Sequence, residues 1–349
     1  MFGGLSERRA EALRWLAVLT VVGLGWVLYT MPPAFLHENA LFAELIAQLD
    51  FRVFRPMYGI TFYWLLTLEF GAVLAVALAM QLCIPVRRGE SFFSSHVLND
   101  LMWFVYSSVI YAFTTTVYVV WLVGFLEPYF ASFHPAALDA IPVPIRFVLV
   151  LLLLELLVWS EHCALHKIPI LWQFHAVHHS QTELSFFSDF RIHLVEHLWR
   201  ATIVAVPMAA LHIDLPLIVA YTIFDRWYSR FYHSNLKTHY GPLKYFMVTP
   251  QSHRMHHTND PKYADRNFGR YLTLWDWVFG TQVKDWDVYP ATGIDDRNFP
   301  LEEKRLSIRI LWMPIVQHWY PVEVLARQAW RRLSGGTPAA AAGVRTPSE

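Results

Sequence analysis

From Leu101 to Leu126 the chain carries no Asp, Glu, Lys or Arg. A helix of ~20 such residues is enough to cross a ~30 Å hydrocarbon core. In lipid the backbone must satisfy its own N–H and C=O groups, which leaves helices and closed barrels as the spanning forms. The run has companions. Trp15–His37 is equally free of charge, Met57–Val86 holds only Glu69, and Phe147–Ser160 holds only Glu155. Ala201–Phe224 is a weaker stretch, interrupted by Pro207, His212, Asp214 and Pro216. Composition agrees: 55% of the 349 residues are hydrophobic and 16% charged, against roughly 25% charged in an ordinary soluble domain. These values exclude a disordered chain, a coiled coil and a disulfide-stapled scaffold. The fold class expected is all-α, a polytopic membrane protein with a helical transmembrane base and a cytosolic, His-rich, metal-binding helical cap.

Basic residues set the expected orientation. Arg8, Arg9 and Arg14 precede the first run, and Arg87 and Arg88 follow the second. The positive-inside rule puts these ends, and everything after the fourth run, in the cytosol. In a bacterium that is the inner membrane. The first run is read as an uncleaved anchor, because no small-residue cleavage site follows it. With Lys+Arg and Asp+Glu at 28 each, nothing points to nucleic acid. Cys83 and Cys163 are far apart and suggest neither a disulfide nor a thiolate metal site.

Histidine decides the chemistry. Of the 17 in the chain, 13 lie between His162 and His257. His162 and His166 form H-x-x-x-H. His175, His178 and His179 form H-x-x-H-H, and His253, His256 and His257 repeat it. Chance would supply about 0.04 such triplets, too few to be a false-positive motif match. Helical residues at i, i+3 and i+4 share a face, so each motif is expected to present two or three imidazoles to one point. A His-rich surface tract would be contiguous and polar, whereas these are embedded among Trp, Phe and Leu. Eight imidazoles exceed the four ligands of one zinc ion, so two ions with three to five nitrogens each fit better. Imidazole donors alone are compatible with Fe, Zn or Cu.

The order of these motifs, with LWQFHAVHHS, TPQSHRMHH and DRNFGRYLTLWDWVFGT, resembles the fatty acid hydroxylase / sterol desaturase superfamily of membrane di-iron oxygenases. The resemblance covers about residues 146 to 282. It implies a four-helix membrane base with a cytosolic cap holding two iron ions, replaceable by zinc, which use O₂ and electrons to attack an unactivated C–H bond of a membrane lipid. The implied metal ligands are His162, His166, His175, His178, His179, His253, His256 and His257, joined by His233 in FYHSN.

Supporting or additional roles are implied for Glu155, Asp265, Asp276, His193 and His197. Glu155 matches an acidic position two turns before His162. Asp265 and Asp276 match the acidic positions of the last signature. A metal-bound His commonly donates its second N–H to a carboxylate. His193 lies in DFRIHLVEHL, with Arg191 and Glu196 in place, and tilts the resemblance toward the sterol desaturase branch. Cys163 departs from the Arg that many members carry there. His37, His96, His134, His212, His239 and His318 are read as ordinary.

The implied organisation is transmembrane helices over 1–140, a di-metal catalytic domain over 141–285, a cytosolic amphipathic region over 286–333 and a disordered tail over 334–349. With no G-x-G-x-x-G after a strand, nicotinamide or flavin is not expected to bind. Electrons are expected from a separate ferredoxin, cytochrome or reductase. The rival readings are ether-lipid oxidation like that of the alkylglycerol monooxygenases, a metal-storing or metal-transporting membrane protein, and a zinc hydrolase. A transporter would line several spans with His or acidic groups, and a hydrolase would need a general base beside one open zinc.

Overall fold

The computed structural model of the protein describes residues 68–87, 94–130, 140–211, 228–301 and 307–334, with 221, 224 and 225. The apolar run Trp15–His37, the start of Met57–Val86, the N-terminal arginines, Asp214 and the tail after Ser334 lie outside these residues. The chain divides into two units, Met1–Val76 and Ala77–Glu349, and the second carries the patterned histidines. In order, the helices are α1 (Leu68–Cys83), α2 (Ser95–Phe130), α3 (Val143–Lys167), α4 (Pro169–His179), α5 (Leu194–Ala210), α6 (Pro250–His256), α7 (Leu274–Val278) and α8 (Met313–Leu333). Among the described residues there is no strand. Pairing between extended segments is limited to isolated bridges such as Met247–Leu272 and Thr258–Thr292.

Among the described residues, α3 is the helix long and apolar enough to cross a membrane. At 1.5 Å per residue it is about 37 Å long. Its start exposes Val143, Ile145, Val148 and Leu149. Further on, Leu154, Val158, His162 and Leu165 turn inward at helical spacing. The charge-free run Leu101–Leu126 lies within α2 but is not a uniform lipid surface. Trp103, Phe104 and Tyr111 are buried in protein, Ser107 donates to the Phe190 carbonyl at 2.9 Å, and Tyr111 to that of Ile192 at 2.5 Å. Exposed apolar side chains take over from Val117, through Trp121, Phe125 and Tyr129. A run of apolar residues reads alike whether it meets lipid or a protein core, so the sequence could not separate these halves.

Three arrangements position the histidines. First, α3 and α4 are joined by Ile168 alone, which is extended ahead of Pro169. Proline disfavours a helical conformation in the residue before it and starts the next helix at N1, so the chain turns sharply there. Second, α5 packs along α2 and α3, while α8 lies against α4 and α2. Third, the loop after α4 is tied to α2 through Asp100, which is fully buried. Its carboxylate accepts from Gln181, from Ser185 at 2.9 Å, from Ser188 at 2.6 Å and from Arg191 at 3.2 Å. A buried carboxylate is tolerated when its lone pairs are filled in this way.

Candidate metal centre

Nine imidazoles gather into two adjacent groups. His162, His166, His175, His179 and His256 form one, with candidate ligand atoms all within 4.8 Å of one another. His178, His233, His253 and His257 form the other. These are the nine positions singled out as ligands, but they are not shared out motif by motif. Each H-x-x-H-H splits. In α4 the i, i+4 pair His175 and His179 faces the first group and His178 the second. In α6 and its C-cap, His253 and His257 face the second group and His256 the first. The expectation that each motif serves one point is corrected here: the i+3 residue is rotated far enough off the i, i+4 line to reach the neighbouring group. The groups touch through His179 and His257, stacked with centroids 4.3 Å apart.

The outer nitrogens are held by acceptors. His162 Nδ1 lies 2.9 Å from the Phe268 carbonyl, His256 Nδ1 2.8 Å from that of Arg266, and His166 Nδ1 3.2 Å from Asp265. His178 Nδ1 faces the Arg191 carbonyl at 3.2 Å, and His233 Nδ1 that of Ser229 at 2.6 Å. A carbonyl acceptor fixes the proton on Nδ1 and leaves Nε2 with its lone pair directed inward. Those Nε2 atoms crowd together. His162–His175 is 3.2 Å and His175–His179 3.1 Å; in the second group His178–His233 is 3.3 Å, His233–His253 2.8 Å and His253–His257 2.9 Å.

These separations fit metal ions. With metal–nitrogen bonds of about 2.0–2.1 Å, neighbouring ligands sit about 3.0 Å apart in an octahedron and about 3.4 Å in a tetrahedron. The buried His256 Nε2, which faces the first group, has no hydrogen-bond partner among the described residues, which costs about 1–3 kcal/mol when nothing else compensates. A cation in that group offsets the cost. Burial, reinforced by the neighbouring imidazoles, pushes His178, His179, His253, His256 and His257 well below the ordinary imidazole value. The rings are therefore neutral donors, as metal binding requires.

One five-residue loop, Asp265 to Gly269, serves three histidines of the first group. Its side chain at Asp265 meets His166, its carbonyl at Arg266 meets His256, and its carbonyl at Phe268 meets His162. This zigzag needs left-handed backbone at Asp265 and Asn267, both at φ 56°, which Asp and Asn tolerate better than other non-glycine residues. Asn267 ties the loop to the Ser252 carbonyl in α6 at 2.9 Å. Asp276 of α7 clamps it from behind, accepting from the Phe268 and Gly269 N–H groups at 2.8 and 2.7 Å and from Trp159 of α3 at 3.0 Å. Burial works against the Asp265 carboxylate, but hydrogen bonds from His166 and from Lys167, at 2.9 Å, hold it well below the usual carboxylate range.

The other candidate residues fall elsewhere. Glu155 accepts from the Tyr271 and Leu272 N–H groups at 3.1 and 2.9 Å, which anchors the chain after the loop without touching an imidazole. His193 caps α5, accepting from Val195 at 3.0 Å, and stacks on His318 at 3.9 Å. His197 stacks on Tyr111 at 5.1 Å. Neither joins a group. Two carboxylates unassigned from sequence do reach the site. Glu196 lies 3.1 Å from His175 Nδ1 and Asp189 lies 3.4 Å from His233 Nδ1. Glu196 is further held by Arg200, which also reaches Glu161. Glu196 stood in a motif already noted; Asp189 offered no spacing signal.

Comparison with known proteins agrees with this geometry. The family model for fatty acid hydroxylase matches residues 147–281. That stretch, similar to the fatty acid hydroxylase family, holds all nine imidazoles and the loop that orients them. An ornithine lipid hydroxylase, OlsE of Rhizobium tropici, is 29% identical over 44% of this chain and 45% of its own length. An alkylglycerol monooxygenase of Danio rerio is 31% identical over 37% of this chain and 28% of its own. A very-long-chain aldehyde decarbonylase, GL1-1 of Oryza sativa subsp. indica, is 30% identical over 41% of this chain and 25% of its own. The chain thus spans less than half the length of these relatives. No solved structure matches it.

Proposed function

We propose that the protein is an O₂-dependent lipid hydroxylase or desaturase with two iron ions held by the two imidazole groups. The observation that carries this reading is the inward convergence of nine buried imidazoles into groups of five and four. His162, His166, His175, His179 and His256 would hold one ion, and His178, His233, His253 and His257 the other. Iron at these seats would supply activation of O₂ for attack on an unactivated C–H bond. The chain's own part is to orient the donors and to keep bulk water away. The 265–269 loop, Glu196 and Asp189 aim the rings, while Trp172 and Phe268 pack against His166 at 5.2 and 5.1 Å. Zinc competes for imidazole sites and can replace iron after overexpression. Electrons come from a separate ferredoxin, cytochrome or reductase.

The substrate is a membrane lipid, a reading that the lipid-oxidising relatives support. A hydroxylated membrane lipid headgroup or chain is one form of this reading; ether-lipid oxidation, favoured by the alkylglycerol monooxygenase relatives, is the other. In either form the chain is an integral, multi-pass membrane protein with the catalytic domain over 141–285 on the cytosolic side. His178 precedes Ala201–Phe224 and His253 follows it, yet both belong to one group. The shared group supports placing both flanks of that stretch on one side of the membrane; the turn near Asp214 that this calls for lies outside the described residues.

The test is metal content and oxygen dependence together. Purified protein should carry close to two metal ions per chain, a count read from the two groups. His178→Ala and His256→Ala should each lose activity while still inserting in the membrane. Turnover with ¹⁸O₂ labels a hydroxylated product and leaves a desaturated one unlabelled. Full activity in both variants, or turnover without O₂, would sink the reading.

A further inference from the structure

The helix α8 is built inside out for a water-facing element. The side it buries carries Pro314, Gln317 and Pro321. Gln317 is wholly buried and saturated: its amide oxygen accepts from Asn99 at 3.1 Å and Trp103 at 2.7 Å, and its amide nitrogen donates to the Pro300 carbonyl at 2.8 Å. The opposite side carries Trp312, Ile315, Trp319, Val322, Trp330 and Leu333 at helical spacing, all exposed. Trp319 is 64% exposed and Leu333 85%. Ile308 and Leu311, in the 3₁₀ turn that leads in, extend the same surface. A continuous apolar face of this kind marks an interaction surface.

Two features choose the occupant. Between Ser307 and Ser334 there are four arginines, Arg309, Arg327, Arg331 and Arg332, and one acid, Glu323. The exposed aromatic residues are tryptophans, whose amphipathic rings settle at the headgroup level of a bilayer. An amphipathic helix with Trp and aliphatic residues on one face and arginines beside them lies in the plane of an anionic membrane surface.

We propose that α8 is an interfacial anchor, lying on an anionic lipid surface with Trp312, Ile315 and Trp319 among the headgroups and the arginines facing lipid phosphates. It is a contact additional to any spanning helix. It depends on the surface of α8 and not on the metal centre or the reaction assigned to it. A groove beside the stripe, lined by Pro300, Ile315 and Trp319, presents apolar walls to the same lipids, with Arg327 at its edge paired to Glu323.

The full chain is tested in a Cys83→Ser, Cys163→Ser background, with a polarity-sensitive fluorophore at Trp319→Cys, at Leu333→Cys, or at the exposed loop position Lys284→Cys. Each is reconstituted in vesicles of phosphatidylcholine, with and without phosphatidylglycerol. The expected result at both α8 positions is quenching by nitroxide-labelled lipid and several-fold weaker quenching by aqueous iodide than at Lys284→Cys, with the contrast greatest in phosphatidylglycerol. Combining Arg327→Gln, Arg331→Gln and Arg332→Gln should remove the dependence on anionic lipid. Free access of iodide at both α8 positions overturns the proposal. Protection from iodide without lipid quenching, accompanied by disulfide cross-linking between copies through Trp319→Cys, overturns it in favour of a second chain. Because the readout is position and not turnover, the outcome stands apart from that of the metal and oxygen tests.

Discussion

Gly269 has the least room for change in the site. A Cβ there would lie 2.5 Å from the Leu272 carbonyl oxygen and 2.9 Å from Asp276 Oδ2. Gly269→Ala must therefore displace the Asp276 clamp, and with it the Phe268 carbonyl that orients His162. Metal content should fall selectively in the group containing His162, measured by metal analysis and by the spectrum of the bound ions. Asp265→Asn is the gentler probe, since Asn also tolerates the left-handed backbone at that position. It removes the negative charge facing His166 while keeping an acceptor. Metal affinity should drop toward the lower end of the about 10–100-fold range for partners of metal-bound histidines, measured by competition with a chelator. Asp265 and Asp276 were legible in sequence because they match the acidic positions of the signature that carries the resemblance; the backbone need that each answers appears only in the fold. The carbonyls of Arg266, Phe268 and Arg191 were not, because any residue supplies a carbonyl and only the fold aims it.

At the level of elements, Asp100 is the link that sequence patterning could not reveal. It sits just before an apolar run and reads as the polar edge of a membrane helix. Folded, it collects Gln181, Ser185, Ser188 and Arg191, and the Arg191 carbonyl receives His178. Asp100→Ala leaves a buried guanidinium with its charge unmatched, a change that costs about 3–5 kcal/mol. Ser185→Ala removes one hydrogen bond to the same carboxylate and should cost about 0.5–1.5 kcal/mol. Thermal unfolding of the two variants in detergent should rank them in that order; equal effects would mean that Asp100 is not the hub. The helices α4 and α6 were readable from histidine spacing, and α3 from the apolar run Phe147–Ser160 ahead of His162. Their partition was not, since it depends on the one-residue turn at Ile168 and on the fold bringing rings of α4 and α6 into the same groups.

For the whole molecule, removing the metals should have a pH-dependent cost. In the stripped fold the buried imidazoles are held below their ordinary value of 6.5, by burial first and by each other second. Unfolded, they take up protons as the pH falls through 6.5, so below that value the unfolded chain binds more protons than the folded one. Stability of the chelator-treated protein should therefore decline as pH drops below 6.5, whereas the metal-loaded protein resists until its ligands are protonated away. Melting curves at a series of pH values, with and without chelator, measure this. Parallel behaviour of the two forms would mean that the imidazoles titrate freely.

The crossing of the two H-x-x-H-H motifs bears on how the two proposed ions would load. Because α4 and α6 each lend rings to both seats, an ion that enters one seat fixes the helices on which the other depends. The ordering entropy is then lost once, on the first ion, and the second arrives at a prepared site. Titration of ferrous iron into the stripped protein should give a sigmoidal isotherm, with chains holding two ions or none and few holding one. On the proposed di-iron reading, a cell short of iron would contain a minority of fully armed molecules beside empty ones, and its activity would rise with the number of complete centres, not with the total iron bound.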